Sequence, residues 1–319
     1  MNRIIALRLI LVVALAFSAP AIAAYPEQPI TVIVSFPAGG GADVGTRLIT
    51  PFIERYLPGA KFVVINKPGA GGDIGTMAIA QAKPDGYTIG LLNVPTSLMQ
   101  LQERELQWNL SSLTPIANLM ADPAVLAVKA DSKYKTLADV LADAKARPGM
   151  VSVSVSGAGT NTHLDVVNLQ NATNAKFLLA PFGGGGPSRQ ALLGGHVDVM
   201  ASALIDTQRF IEQGQLRGLA IGTKTRYPLA PEIPTYIEQG VNLTGGATRG
   251  FVGPKGLPPD VVAKLATAID KALKDPELVQ KAKEFALPLM YIGPAEYGTH
   301  LAAENAALAE TWKRSPWKE

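Results

Sequence analysis

Four glycine-rich stretches interrupt the chain, and each lies between a β-rich run and a helical run. They cover residues 36–43, 68–73, 156–160 and 182–188. Alternating strands and helices predict parallel sheets flanked by helices, in which such loops gather at the carboxyl ends of the strands, where ligands bind. The pattern therefore predicts an α/β fold with a ligand cleft built from loops.

Two successive series of strands predict two lobes, each a doubly wound sheet flanked by helices, and the length of 319 residues suits this. The predicted strands are Ile30–Ser35, Phe62–Ile65 and Tyr87–Leu92, then Val125–Val128, Val151–Val155, Phe177–Leu179, Val197–Met200 and Leu216–Ile221.

The tail is predicted to be helical over Pro258–Leu273, Glu277–Phe285 and Ala295–Trp312. A helical tail needs an earlier sheet to pack on. We therefore expect a discontinuous first lobe, residues 24–123 and 249–319, and a second lobe, residues 124–248.

The N-terminus has the layout of a secretory signal peptide. Arg3 and Arg8 precede an apolar run, Leu9–Phe17, and small residues follow it up to Ala23. The run is shorter than the roughly 20 apolar residues that span a bilayer. We expect residues 1–23 to be a signal peptide cleaved near Ala23, and the mature chain to be periplasmic.

Composition and motifs exclude several classes of function. The net charge is +3 and no Lys/Arg cluster is present, so nucleic acid is not expected as a partner. The chain has no cysteine, and its histidines, His163, His196 and His300, lack metal-ligand spacing. Ile74 breaks the G-x-G-x-x-G fingerprint of dinucleotide sites, and neither a Gly-Lys pair nor a G-x-S-x-G elbow occurs. We expect no enzyme activity, no cofactor and no metal.

The glycine loops predict an anion site. A residue without Cβ lets backbone N–H groups approach a ligand, and the helix after each loop adds unpaired N–H donors and a partial positive charge. The alternative is that the glycines only permit tight turns.

Several polar residues near the loops have two possible roles. Asp43 and Asp73 are expected to cap helices, although contact with a ligand stays open. Thr160, Ser188 and Ser202 are either caps or ligand contacts. His163 is more typical of a structural residue. Arg249 either pairs with a ligand carboxylate or lies on the surface.

Several motifs in order give a family resemblance that covers essentially the whole mature chain. They are Tyr25–Ile30, the stretch Phe36–Asp43, Asn66–Gly72 with Ile74-Gly75, Pro84–Tyr87, Ser156–Thr160 with His163-Leu164, and Leu193–Asp198. In these motifs the chain resembles the Bug family, the periplasmic receptors of tripartite tricarboxylate transporters.

The resemblance implies a two-lobed, type II (Venus flytrap) binding protein that passes a small carboxylate to a pair of integral membrane subunits. In the family, the first two glycine loops hold one carboxylate, and the second lobe and the segment here at Asn93–Ser97 shape specificity. The resemblance assigns ligand binding to Phe36, Ala38, Gly39, Ala42, Asp43, Gly71, Thr96, Thr160 and Ser202. The loops themselves add Gly40, Gly72 and Ser156 as candidates. Two residues outside the loops complete the set, His163 at the helix start after the third loop and Arg249 near the expected second crossover between the lobes. A monomer is expected.

Three departures from the family pattern concern specificity. They are Pro181–Gly184, Ser202-Ala203 in place of an Asp-Asn pair, and Thr248-Arg249 in place of a Trp. The missing acidic residue at Ser202 argues against an amino acid as solute. The expected solute is a di- or tricarboxylate or an aromatic acid.

Two alternatives remain from the sequence. One is an exported receptor that serves a sensor or signalling partner. The other is an exported hydrolase using Ser156 or Thr160, which lacks a positioned base.

Overall fold

A computed structural model describes residues 25–314 and 316–317, so the predicted signal peptide and its cleavage site near Ala23 lie outside the described residues. The strands are β1 Ile30–Val34, β2 Phe62–Asn66, β3 Thr88–Val94, β4 Leu113–Lys129, β5 Val151–Val155, β6 Phe177–Pro181, β7 Val199–Ala203, β8 Leu216–Ile221, β9 Gly246–Pro254 and β10 Leu289–Ile292. The helices are α1 Gly41–Tyr56, α2 Asp73–Ala80, α3 Thr96–Glu103, α4 Leu137–Ala146, α5 Asn161–Thr173, α6 Gly185–Leu193, α7 Leu204–Glu212, α8 Pro259–Leu273, α9 Pro276–Glu284 and α10 Pro294–Arg314.

The strands form two sheets that share the long strand β4. In the first sheet, β2, β1 and β3 are parallel neighbours, β9 pairs antiparallel with β3 and β4, and β10 pairs with β4. In the second sheet, β6, β5 and β7 are parallel neighbours, and β4 pairs antiparallel with β7 and β8. The chain passes from one sheet to the other near Ala124 and returns at Gly246. The predicted two-lobed α/β fold is confirmed.

The prediction of purely parallel sheets and an all-helical tail is wrong in detail. The first part of β4, all of β9 and the tail strand β10 were not predicted, and their pairings are antiparallel. Glycines conceal β9, because they carry little strand propensity. A Cβ on Gly250 would lie 2.6 Å from the Tyr297 hydroxyl oxygen, and one on Gly253 would lie 2.3 Å from Leu257. Packing of the tail against β9 requires these glycines.

Each lobe has its own apolar core, in which its strands are anchored. In the first lobe, Ile30, Val32 and Val34 of β1 pack with the buried face of α1, including Ile49 and Ile53. In the second, β5 contributes its three valines to a core with α4 and α5. Each fully buried side chain of this size contributes about 1.5–3 kcal/mol. The loops that follow β1 and β5 therefore start from strands anchored in these cores.

Local sequence signals mark helix starts away from the glycine-rich loops. The capping box of Thr136 and Asp139 opens α4, and a proline begins α8. In the part of the chain from 25 to 317 that the structure covers, no helix is both long and apolar enough to cross a membrane.

Candidate functional site

The loops that follow β1, β5 and β6 meet at a cavity between the two lobes. Its volume is about 40 Å³. Because one water needs roughly 10–15 Å³, the cavity has room for only a few waters, and the lobes stand close together. Its walls are Phe36, Pro37, Ala38, Gly40, Gly41, Ala42, Asn93, Ser156, Thr160, Asn161, Thr162, Gly184, Gly185, Gly186, Pro187, Ala203, Asp206 and Arg249.

Three of the helices that begin at this cavity, α1, α5 and α6, follow glycine-rich loops, and none of the three is capped by the side chain of its own N-cap residue. Those residues are Gly40, Thr160 and Gly184. In contrast, Thr136 caps α4 and Asp275 caps α9. The first N–H groups of the three cavity helices are therefore open to acceptors from elsewhere, and their partial positive charges point at one place.

The two lobes cap each other's helices across the cavity. The Gly41 N–H, at the start of α1, donates to Asp206 Oδ1 on the opposite lobe over 3.0 Å. In return, the Asn161 N–H, at the start of α5, donates to the Thr96 hydroxyl over 2.9 Å. The acceptors are a carboxylate and a hydroxyl oxygen. An anionic oxygen from a solute would find the same kind of donors here.

The charged groups at the cavity, Arg249 and Asp206, and those beside it, Asp122 and Arg189, are balanced in sign. Arg249 donates from Nε to Asn93 Oδ1 over 3.0 Å, and from Nη1 to the buried carboxylate of Asp122. Arg189 Nη1 lies 3.8 Å from Asp206 Oδ1. Two arginines thus face two aspartates.

Burial changes the acidity of both aspartates. It raises the pKa of Asp122, and the contact with Arg249 opposes that effect. Burial also raises the pKa of Asp206, with Arg249 and Arg189 acting in the opposite direction. At both aspartates, burial disfavours the ionised form and the neighbouring arginines favour it.

Half of the predicted ligand residues line the cavity, and the other half support its walls. The lining set is Phe36, Ala38, Gly40, Ala42, Ser156, Thr160 and Arg249. The remaining candidates are Gly39, Asp43, Gly71, Gly72, Thr96, His163 and Ser202.

Asp43 stabilises the first glycine loop through hydrogen bonds. Its carboxylate accepts the Gly39 N–H over 3.0 Å, Arg47 Nε over 2.8 Å and Asn66 Nδ2 over 3.0 Å. Although burial raises its pKa, these hydrogen bonds leave the pKa below its ordinary value. The predicted role as N-cap is wrong, because Gly40 occupies that position.

Asp73 is not a cap either. The N-cap of α2 is Gly72, and the Asp73 carboxylate accepts Trp108 Nε1 over 2.6 Å.

The second glycine loop lies behind the cavity instead of lining it. A Cβ on Gly72 would lie 3.2 Å from the Phe36 ring, and one on Gly71 would lie 2.8 Å from Gln100 Nε2. That same Gln100 nitrogen donates to the Gly159 carbonyl of the opposite lobe over 2.9 Å. The loop thus supports two residues that act at the cleft.

His163 and Thr96 order the cleft. Nδ1 of His163 accepts the Gly159 N–H over 3.0 Å, as expected for a structural residue that holds the third loop. The Thr96 hydroxyl, besides capping α5, donates to Asn161 Oδ1 over 3.0 Å.

The sequence reasoning missed the two aspartates of the cleft. The acidic group absent at Ser202 is supplied one helical turn later by Asp206, whose Oδ2 accepts the Ser202 hydroxyl over 3.2 Å. The i, i+4 spacing from Ser202 to Asp206 was the available signal, but it crosses a strand end and a helix start, so the sequence does not fix the direction of the side chain. Because Asp206 supplies an acidic group beside Ser202, the substitution at Ser202 no longer disfavours an amino-acid solute.

Within residues 25–314 and 316–317, no group of three or more His, Asp or Glu side chains is arranged to hold a metal ion.

Comparison with known proteins agrees with this architecture. The model of the "Tripartite tricarboxylate transporter family receptor" matches residues 54–310. BugT of Bordetella pertussis is 33% identical over 91% of this chain and 90% of its own length.

Solved structures agree as well. A periplasmic transporter superposes with a TM-score of 0.88 at 30% identity, covering 92% of this chain and 99% of its own. The periplasmic binding protein BugD gives 0.85 at 29% identity, covering 91% and 98%. MatC from Rhodopseudomonas palustris, solved with bound malate, gives 0.82 at 25% identity, covering 90% and 99%. The chain therefore belongs to the family of tripartite tricarboxylate transporter receptors.

Proposed function

We propose that this chain is a periplasmic receptor that captures a small carboxylate between its lobes and delivers it to the integral membrane subunits of a tripartite transporter. The observation that carries the proposal is the convergence of three helix N-termini, none capped by its own N-cap side chain, with Arg249 on one inter-lobe cavity. Relatives solved with malate and with adipate, 25% and 26% identical to this chain, support a carboxylate as solute.

The proposed contacts divide into two groups. The first group lines the cavity and touches the solute; it consists of Phe36, Ala38, Gly40, Ala42, Ser156, Thr160 and Arg249. The second group holds those residues in place; it consists of Gly39, Asp43, Gly71, Gly72, Thr96, His163 and Ser202.

The lobes are proposed to be residues 24–123 with 249–319, and residues 124–248. The change of sheet at Ala124 and the return at Gly246 lie close to these limits. We further propose a monomer, exported with cleavage near Ala23.

The strength of such a site is sufficient for a transport receptor. A hydrogen bond to a charged group contributes about 1.5–3 kcal/mol, and micromolar binding needs about 8 kcal/mol. A few such bonds from α1, α5 and Arg249 reach this range after the costs of association. Because the donors are enclosed, binding should persist at moderate salt.

The receptor is proposed to bind without turnover. Ser156, the candidate nucleophile of the hydrolase alternative, has its hydroxyl 2.7 Å from the Thr162 hydroxyl. Activation of a serine needs a base at that distance, and a hydroxyl is not one.

A thermal-shift screen tests the proposal. The mature protein is unfolded and refolded to remove copurified solute, then mixed with mono-, di- and tricarboxylates, aromatic acids and the matching neutral amides. We expect stabilisation by at least one acid and none by its amide, with the bound acid recovered intact by mass spectrometry. Stabilisation by amides and acids alike would contradict the carboxylate assignment, and a consumed ligand would contradict the absence of turnover.

A further inference from the structure

Asp206 is an acidic side chain built into the wall of the proposed site. Its side chain is 9% exposed, and it lies in the first turn of α7. Gly185 packs against it so closely that a Cβ there would lie 2.3 Å from Asp206 Oδ2. The carboxylate is thus fixed at the cavity and does not point into solvent.

The hydrogen bonds of Asp206 leave acceptor capacity for a solute. Oδ1 accepts the Gly41 N–H and Oδ2 accepts the Ser202 hydroxyl. A carboxylate has about four lone-pair sites. A donor group on a bound solute can therefore hydrogen-bond to Asp206 without displacing either protein partner.

The two arginines beside the cavity already have carboxylate partners of their own. Arg249 is already bound to Asp122, and Arg189 lies beside Asp206. Close to Asp206, another negative charge would be repelled, and burial strengthens that repulsion. A positive group at the same place would be attracted for the same reason.

One wall of the cavity therefore favours an anion and another favours a cation. The helix N-termini and the guanidinium of Arg249, which has five N–H donors in all, suit one carboxylate. Asp206 suits an ammonium group. We infer that Asp206 is a specificity-determining residue that makes the receptor prefer a carboxylate bearing an ammonium group over the matching acid without one. This inference rests on the proposed function and names the class of solute within it.

Pairs of acids that differ only by an amino group provide the test. They are propionate and alanine, succinate and aspartate, glutarate and glutamate, and 3-phenylpropionate and phenylalanine. Any other acid found in the screen is paired with its 2-amino derivative. Affinities are measured by calorimetry on the wild type, on Asp206→Asn, and on Asp131→Asn as a matched change at an exposed aspartate.

We expect the amino member of each pair that binds to be about tenfold tighter or more in the wild type and in Asp131→Asn. In Asp206→Asn the two members should differ by less than about threefold. A wild type that binds the acid without the amino group equally well overturns the inference, whether or not the variant folds. So does an Asp206→Asn protein that keeps the preference.

Failure of the proposed function gives a different result. If no carboxylate of any kind binds, the receptor proposal and this inference are both wrong. If carboxylates bind but the amino group makes no difference, only the inference is wrong.

Discussion

Two glycine loops of the first lobe resemble each other in sequence but occupy different places. The cleft loop, residues 36–42, forms one wall of the cavity, and Gly41 at its end faces the opposite lobe. The backing loop, residues 68–73, lies behind Phe36 and beside Gln100. In the cleft loop the absence of a Cβ on Gly41 lets the lobes meet, and in the backing loop the glycines allow backbone angles that other residues avoid. Similar composition thus serves closure in one loop and folding in the other.

The largest expected effect comes from Gly41→Ala in the cleft loop. The new Cβ would lie 2.3 Å from Ile205 Cγ2 on the opposite lobe, so closure around a solute would be obstructed. Overpacking of this kind costs about 1–3 kcal/mol, which predicts affinity about tenfold to a hundredfold weaker by calorimetry. The melting temperature of the ligand-free protein should fall little, because a slight separation of the lobes relieves the contact with Ile205. Unchanged affinity would contradict the assignment of Gly41 to the closing surface.

The matched change in the backing loop, Gly69→Ala, should have the opposite pattern. Gly69 has φ +134°, which L side chains rarely adopt. The free energy of unfolding should fall by about 1–3 kcal/mol, measured by denaturant titration. The affinity of the folded fraction should not change, because Gly69 does not line the cavity. A large loss of affinity without loss of stability would remove the distinction between the loops.

A smaller effect on affinity is expected for Gln100 of α3, which lies beside the backing loop. Gln100 donates to the Gly159 carbonyl across the lobes, whereas Gln102 in the same helix donates to Asn305 in the tail. Loss of one neutral hydrogen bond predicts roughly two- to tenfold weaker binding for Gln100→Ala. Gln102→Ala is the control and should leave affinity unchanged. Equal affinities for the two variants would show that the bond to Gly159 does not contribute to closure.

The smallest effect concerns Asp43, whose pKa in the folded protein is lowered by the bonds from Gly39, Asn66 and Arg47 despite burial. A lowered folded pKa contributes stability that is present above the unfolded pKa of about 3.9 and is lost as pH falls through the folded value. The stability advantage of the wild type over Asp43→Asn should therefore shrink as pH falls from about 5 to 3. Denaturant titrations at each pH measure it. A stability difference that stays constant with pH would contradict the stabilisation of the first glycine loop by ionised Asp43.

The general plan of the molecule could be predicted from sequence because it depends on local patterns. Valine-rich strands such as Val151–Val155 and the recurring glycine loops predict the two-lobed fold and the position of the cleft. The first part of β4 and the glycine-bearing β9 could not be predicted, since their pairing depends on contacts between residues far apart in the chain.

The details of the site depend on the directions of loops and side chains, which are determined by packing and not by local sequence. Gly71 and Gly72 follow a strand as the cleft loop does, yet Phe36 and Gln100 stand between them and the cavity. Asp206 and Asp122 lie at the cleft because elements of different lobes meet there: Asp206 accepts the Gly41 N–H and Asp122 accepts the Ile205 N–H. No spacing in the sequence reports such a meeting.

A crystal structure of the mature protein with the tightest-binding acid tests the central claim most directly. We predict that the carboxylate of the solute lies between the lobes, with its oxygens within about 3.2 Å of donors at the start of α1 or α5 or of the Arg249 guanidinium. A solute bound outside this cavity, or one that places an uncharged group on these donors, would contradict the account.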